Sequence, residues 1–263
     1  MSFSSRCCRR FFSLAAVLTL LLLGATVTPS YSSPSFLSEQ YENISTLPGG
    51  GVALNSAGDP DGRGDAQINI PIAYTPHRGY QGVGLYVGKH RFGDNEGSNG
   101  SMFLALGFSE TLPIYVSVLE ASRHLSESKS FNIQAGVLKE RANFPALAVG
   151  VQDLTDKEHA TVGRSLYLTT TKSVHLLNHP AYLTLGYGSG RFEDKLFYGA
   201  SLPIGSYLNA MYEWDGYQPN YGLIIRPGGR YGNLSLLVGY NGKIADGHAG
   251  FLTGINGNLH IHW

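Results

Sequence analysis

Apolar residues in this chain recur at every second position, in short blocks separated by turn-forming clusters. Val83, Leu85 and Val87 alternate with Gly82, Gly84, Tyr86 and Gly88. Phe131, Ile133, Ala135 and Val137 alternate with Asn132, Gln134 and Gly136, and Leu234, Leu236, Val238 and Tyr240 repeat the pattern. A period of two places one set of side chains on each face of a strand, so each block reads as a strand with one apolar and one polar or small face. After Val27 no apolar stretch approaches the ~20 residues a membrane helix needs, and no long i, i+3, i+4, i+7 pattern occurs. The fold expected is all-β.

Further blocks begin at Met102, Ile114, Leu147, Leu166, Leu183, Leu208 and Tyr221, and the last comprises Leu259, Ile261 and Trp263. Two weaker candidates lie around Phe197 and Phe251. In the segment Asp65 to Tyr74, Ile68, Ile70, Ile72 and Tyr74 share one face, with Pro71 on the other, where an edge or a bulge would suit it. Breaks carry turn chemistry at Asp94-Asn95-Glu96-Gly97, Pro227-Gly228-Gly229, Asn241-Gly242 and Asn256-Gly257. This spacing suggests an antiparallel meander rather than a parallel sheet with crossover helices.

Residues 1–30 read as an export signal, with Arg6, Arg9 and Arg10 ahead of the apolar run Phe11 to Val27. Residues 31–62 are read as an N-terminal segment and 63–263 as the β-domain. About 230 mature residues at ~19 per strand and connection accommodate about 12 strands, in a range of 10 to 14, each about as long as a tilted spanning strand requires. The expected architecture is an antiparallel up-and-down transmembrane β-barrel. The apolar sets of Ile68, Ile70 and Ile72 and of Leu234, Leu236 and Val238 are expected on its lipid face, with Gln67 and Ser235 toward the lumen.

Composition supports that choice. The 34 glycines far exceed the roughly 18 expected at ordinary usage, and charged residues are only 14% against a typical ~25%. A face rich in Gly and Ser suits the inside of a narrow barrel, and Tyr and Trp near strand ends suit an interfacial girdle. Both cysteines, Cys7 and Cys8, precede the apolar run, so the expected mature chain has no disulfide, thiolate metal site or cysteine nucleophile. Without the three signal arginines the chain carries 16 positive against 19 negative residues, and a nucleic-acid binder would be strongly basic. The terminal Leu259, Ile261 and Trp263 share one face and end on an aromatic, which resembles the C-terminal assembly signal of bacterial outer-membrane barrels. The expected location is therefore the outer membrane, with its lipid and the barrel-assembly machinery as partners.

No motif points to catalysis, a metal or a cofactor. His260 and His262 share a strand face, but two ligands are too few for zinc. The loop Gly58-Asp59-Pro60-Asp61-Gly62-Arg63-Gly64-Asp65 alternates acids without completing a calcium loop. Gly186-Tyr187-Gly188-Ser189-Gly190 fits neither a dinucleotide nor a nucleophile motif and reads as a strand end and turn.

From Phe144 onward the sequence is more specific. Phe144-Pro145-Ala146-Leu147-Ala148-Val149-Gly150-Val151-Gln152-Asp153-Leu154 resembles the P-x-x-A-x-G-x-x-D segment of YjbH-type outer-membrane proteins. Leu183 to Gly188, Tyr198-Gly199-Ala200, Glu213-Trp214-Asp215-Gly216 and Asn220 to Leu223 resemble that family's consecutive hairpins. The resemblance covers roughly Phe144 to Tyr240, and more loosely Gly49 to Gly88, and implies a non-enzymatic outer-membrane barrel in exopolysaccharide export or surface assembly, with no catalytic residues to carry over. YjbH-type proteins are usually much longer lipoproteins, whereas this chain has no lipobox and room for one barrel. Aromatic rings stack on sugars and carboxylates accept sugar hydroxyls, so Tyr212, Glu213, Trp214, Asp215, Tyr217 and Asn220 form a candidate saccharide-facing rim. The alternative readings are a small diffusion channel and, further off, a barrel enzyme acting on lipid or glycan.

Overall fold

The computed structural model describes residues 47–92, 95–122, 128–154, 164–176, 179–216, 218–228, 231–241 and 249–260. They form a closed antiparallel β-barrel of twelve strands in sequence order. The strands are β1 (Tyr80–Phe92), β2 (Asn95–Phe108), β3 (Ile114–Ser122), β4 (Ser128–Leu138), β5 (Ala146–Gln152) and β6 (Ser165–Leu176), then β7 (His179–Gly188), β8 (Lys195–Ile204), β9 (Leu208–Trp214), β10 (Pro219–Ile225), β11 (Leu234–Asn241) and β12 (Ala249–His260). Every strand pairs with its sequence neighbours, and β1 closes on β12 with Tyr80 opposite His260 and Val83 opposite Gly257. Closure leaves no strand edge unpaired, the condition a sheet must meet to sit in lipid. The barrel has two mouths. Tyr80 opens β1 at the first mouth, which also carries the connections containing Pro113, Glu140, Ser206 and Arg226. The connections containing Glu193 and Asp215 lie at the second.

The two faces are inverted relative to a soluble protein. Val83, Leu85, Val87, Leu104 and Leu106 point outward and are exposed, while Ser117, Asn132, Gln134, Thr169, Thr171 and Asn256 point inward and are buried. An apolar exterior around a polar interior is the polarity of a membrane-spanning barrel. Tyr212, Tyr221, Tyr240 and Phe251 stand side by side across β9 to β12, in successive registered pairs. The rings of Tyr212 and Tyr221, and of Tyr240 and Phe251, lie 5.3 Å apart. This row is placed as an interfacial girdle would be.

Glycines on the inner wall make room for rings lying flat against it. A Cβ on Gly84 would fall 2.1 Å from the Phe103 ring, one on Gly186 2.1 Å from Phe197, and one on Gly254 2.1 Å from Tyr86. The glycine excess is thus partly a packing requirement.

The segment Asp65 to Tyr74 is not one of the twelve strands, and its isoleucines do not meet lipid. Ile68, Ile70 and Ile72 are wholly buried inside the barrel. Ile68 lies against Gly222, where a Cβ would come within 2.8 Å of its Cδ1, and Ile72 lies against Gly49. An extended chain keeps a period of two whether a sheet or a lumen surrounds it, so the alternation was real but its environment was not the one expected. Two further corrections concern strands. Asn256-Gly257 is not a break but lies within β12, which joins the weak block at Phe251 to the block at Leu259. The weak block at Phe197 is the full strand β8.

Candidate functional site

Residues 47–79 fill the lumen. They bond to one another through turns and isolated bridges, with Gly50 opposite Gln67, Leu54 opposite Pro60 and Asp65, and the Asp61 and Gln67 N–H groups donating to the Ala53 and Gly49 carbonyls. The buried groups left over, among them the N–H groups of Ile68, Asn69 and Ala73 and the carbonyls of Gly50, Gly51, Gly64, Pro71 and Ile72, need partners from the wall, because a buried unpaired amide or carbonyl costs about 1–3 kcal/mol. The inward side chains of the strands supply them.

At the second-mouth side, Glu213 of β9 accepts the backbone N–H groups of Ile68 at 2.8 Å and Asn69 at 2.7 Å, one on each carboxylate oxygen. Asn220 of β10 donates its amide to Glu213 at 3.0 Å and to Asp215 at 2.8 Å. Asp215 also accepts the backbone N–H of Gln218 at 3.0 Å, closing the β9–β10 turn. Among the described residues no lysine or arginine forms an ion pair with Glu213.

Lower in the lumen the segment contributes its own acid. Asp65 is buried and accepts hydroxyls from Ser201 at 2.6 Å and Thr184 at 2.9 Å, with Asn209 donating to the Gly64 carbonyl at 2.7 Å. Around the other wall, Thr169 donates to the Pro71 carbonyl at 3.0 Å, Gln134 to the Ile72 carbonyl at 3.0 Å, and the Ala73 N–H donates to Thr171 at 2.9 Å. On the β11–β1 side, Ser235 and Asn256 donate to the Gly51 carbonyl at 2.9 and 3.1 Å, and Tyr86 donates to Gly50 at 3.0 Å.

The first mouth is tied by the β4–β5 connection. Glu140 accepts the Tyr74 hydroxyl, the Ser173 hydroxyl at 2.6 Å and the Lys172 ammonium at 2.8 Å. Burial alone would raise the Glu140 carboxyl, but the hydrogen bonds from Lys172, Ser173 and Tyr74 outweigh it and hold it below its ordinary value. Apolar packing adds to these contacts. Leu47 and Ile70 form one cluster with Tyr167, Phe192 and Phe197 near the second mouth, with the Phe192 and Phe197 rings 4.5 Å apart.

The structure divides the candidate saccharide rim by strand parity and does not gather it on one surface. Glu213, Asp215 and Asn220 are wholly buried inside, where they hold the inner segment and the turn. Tyr212 and Trp214 take the opposite, outer face of β9, with Tyr212 in the girdle row. Tyr217 lies outside the described residues. Of the assembly signal, Leu259 is exposed on the outer face of β12, and Ile261 and Trp263, like His262, lie outside the described residues. The acids of the 58–65 loop do not converge. Asp59 meets His77 at 3.2 Å, whereas Asp65 turns to Ser201 and Thr184. Of the residues that hold the segment, Gln134 and Ser235 are legible in the sequence as polar inward positions, whereas Asn256 reads there as a turn and Thr169 and Thr171 carry no signal of their own.

No protein-family model matches this chain, and no curated protein matches it. Among solved structures it is similar to an outer-membrane channel from Pseudomonas putida F1, at 12% identity and TM-score 0.38 over 70% of this chain and 96% of that one. A triple-mutant porin of Rhodopseudomonas blastica gives 5% identity and TM-score 0.38 over 68% and 99%. The low-pH structure of Pseudomonas putida OprB gives 9% and 0.34 over 69% and 93%. Likenesses this distant assign the chain to no family and carry no functional argument.

Proposed function

We propose that this chain is an outer-membrane channel of the small diffusion type whose lumen is closed by its own residues 47–79. The observation that carries this reading is the way the lumen is filled. The wall carries hydroxyl, amide and carboxylate side chains among its inward aromatic and aliphatic ones, and the segment inside it is extra to the twelve-strand ladder, fixed by side chains rather than woven into the sheet. A segment held this way can leave without breaking the barrel, and its departure would expose a passage lined by hydroxyl, amide and aromatic side chains, Ser117, Thr169, Gln134, Asn256, Tyr86 and Tyr115 among them. The barrel would be silent as drawn and would conduct when the segment undocks. Planar-bilayer recordings test this. The intact protein should show a closed baseline with rare openings, and a variant with weakened clamps should open often. A clamp variant that remains folded and silent would remove the channel reading.

A second reading, a non-conducting barrel serving exopolysaccharide export or surface assembly, is favoured by the same filled lumen together with the resemblance across Phe144 to Tyr240. Deleting the gene and measuring secreted polysaccharide separates the two. Loss of polymer with no conductance from any clamp variant supports the assembly role, and normal polymer amount and chain length excludes it.

A further inference from the structure

The inner segment buries one of its acids, Asp65, in the lumen, and no opposite charge meets it there. Asp65 is wholly buried, and among the described residues no lysine, arginine or histidine forms an ion pair with it. Its side-chain partners are neutral: the Ser201 hydroxyl at 2.6 Å, the Thr184 hydroxyl at 2.9 Å and the Gln67 amide at 3.3 Å. Arg63, two residues away, turns its guanidinium out to Ser206 at the first mouth.

The Thr184 contact ends a chain of hydrogen bonds that begins on the returning limb of the same segment. The Ala73 N–H donates to Thr171 Oγ1 at 2.9 Å, and the Thr171 and Thr184 hydroxyls stand 2.7 Å apart. An N–H can only donate, so Thr171 passes its own proton to Thr184 and Thr184 passes its own to Asp65. The Asp65 carboxyl thus joins both limbs of the segment to β6, β7 and β8, and all of these contacts exist only while the segment is docked. An ionised carboxylate entering this site gives up its hydration for three neutral donors. Burial therefore pushes the Asp65 carboxyl up from 3.8 to about 6, against the hydrogen bonds from Ser201, Thr184 and Gln67. Asp65 belongs to the inner segment and not to a membrane-spanning strand.

The protonated acid fits the same partners. Its carbonyl oxygen accepts from Thr184 while its O–H donates to Ser201, because a hydroxyl can serve as donor or acceptor. The other ionisable groups around it are accounted for. Tyr182 donates to the Arg63 carbonyl and packs against Tyr74, and both phenols stay neutral below pH 8. Glu140 lies beyond Tyr74 and is tied to Lys172, Asp61 lies in the first-mouth loop beside Arg63, and Glu213 faces Ile68 and Asn69 further along the segment.

We propose that the inner segment docks with a proton on Asp65, so that mild acid tightens its closure of the lumen and a rise in pH loosens it. The proposal rests on the reading in which the segment undocks from an intact barrel. The docked carboxyl titrates above the solvated one, so the proton's contribution is complete below the solvated value and is lost as pH rises through about 6. The undocked fraction should therefore rise about tenfold between pH 4.5 and 6.

Amide hydrogen exchange of the folded full-length mature protein in detergent micelles, corrected for the intrinsic rate at each pH, reads docking without reference to conductance. Opening at Ile68, Asn69 and Ala73 should rise about tenfold over that range, with the strand amides of β9 unchanged. Asp65→Asn, which cannot ionise and leaves Glu213 in place, should abolish this rise. Should Asp65→Asn fail to assemble, Thr184→Val removes a donor to the carboxylate and should move the rise to higher pH. Infrared spectra of protein carrying ¹³C-labelled aspartate should show a protonated carboxyl at pH 5 that disappears above pH 7. Exchange that ignores pH in the unmodified protein would overturn the proposal, as would a rise that persists in Asp65→Asn or an aspartate band already ionised at pH 5. Exchange that follows pH in a barrel that never conducts would sink the channel reading and leave the proton-linked docking standing, and conductance with pH-independent exchange would do the reverse.

Discussion

Replacing Glu213 with alanine should loosen the inner segment more than any other single change on the wall. The carboxylate serves two backbone amides, those of Ile68 and Asn69, and both lie where water cannot substitute. Each orphaned amide costs about 1–3 kcal/mol, so Glu213→Ala should disfavour docking by about 2–6 kcal/mol. At tenfold per 1.4 kcal/mol, the undocked population rises by a factor of about 30 to 10⁴. Ile68, Ile70 and Ile72 remain buried in the variant and retain about 1.5–3 kcal/mol each, so the segment should dock and undock rather than be lost. Glu213→Gln keeps one acceptor oxygen and should fall between. Amide hydrogen exchange reads this directly, since protection at Ile68 and Asn69 reports local opening, and strand amides of β9 serve as an internal control for the barrel. If Glu213→Ala leaves exchange at those two amides unchanged while the barrel stays folded, the clamp is not holding the segment. The reasoning from orphaned amides would then be refuted.

Leu236→Arg on the outer face should cost about 2–4 kcal/mol in denaturant titrations of the protein folded into vesicles, whereas on a water-facing surface it would be near neutral. For Glu140, a carboxyl held below its ordinary 4.5 stabilises the folded state at pH above that value and loses the effect as pH falls through the depressed value. Tm should therefore fall on acidification below about pH 4.5, by an increment that Glu140→Gln removes. Deletion of Trp263 should reduce the amount of heat-modifiable, folded protein in the outer membrane. Unchanged levels would show that Leu259 and Ile261 suffice.

The sequence showed the fold class and direction of the wall clearly, because a period of two with an apolar outer set is imposed by lipid on every strand. Val83, Leu85 and Val87, and Leu234 and Leu236, face outward as their spacing implied. The strand total agreed at twelve for a less satisfying reason. The block at Ile68 was counted as a strand and is not one, while the faint block at Phe197 is one. Pro71 was the local clue, since it cannot donate to a ladder, but an edge strand explained it equally well. What separates a lipid-facing strand from a segment inside the lumen is its neighbours, and those come from positions over a hundred residues away. Ile68 meets Glu213, and Gly51 meets Ser235 and Asn256. The same distance hid the clamp. Glu213 and Asn220 do lie together, but reading them with Tyr212 and Trp214 as one rim ignores the alternation that sends the two pairs to opposite faces.

The most direct test of the account is whether residues 47–79 occupy the lumen in the membrane. The mature chain expected after signal removal contains no cysteine, so Ile68→Cys with Gly222→Cys introduces one pair, at positions where the Ile68 side chain already reaches the space a Gly222 Cβ would fill. Oxidation in isolated outer membranes should form an intramolecular disulfide in high yield, seen as a reduction-sensitive shift in mobility, and Ile68→Cys with Leu236→Cys, which points to lipid, should form none. Equal cross-linking of the two pairs, or ready labelling of Ile68→Cys by a membrane-soluble thiol reagent in the absence of oxidant, would place the segment on the outer face and contradict the account.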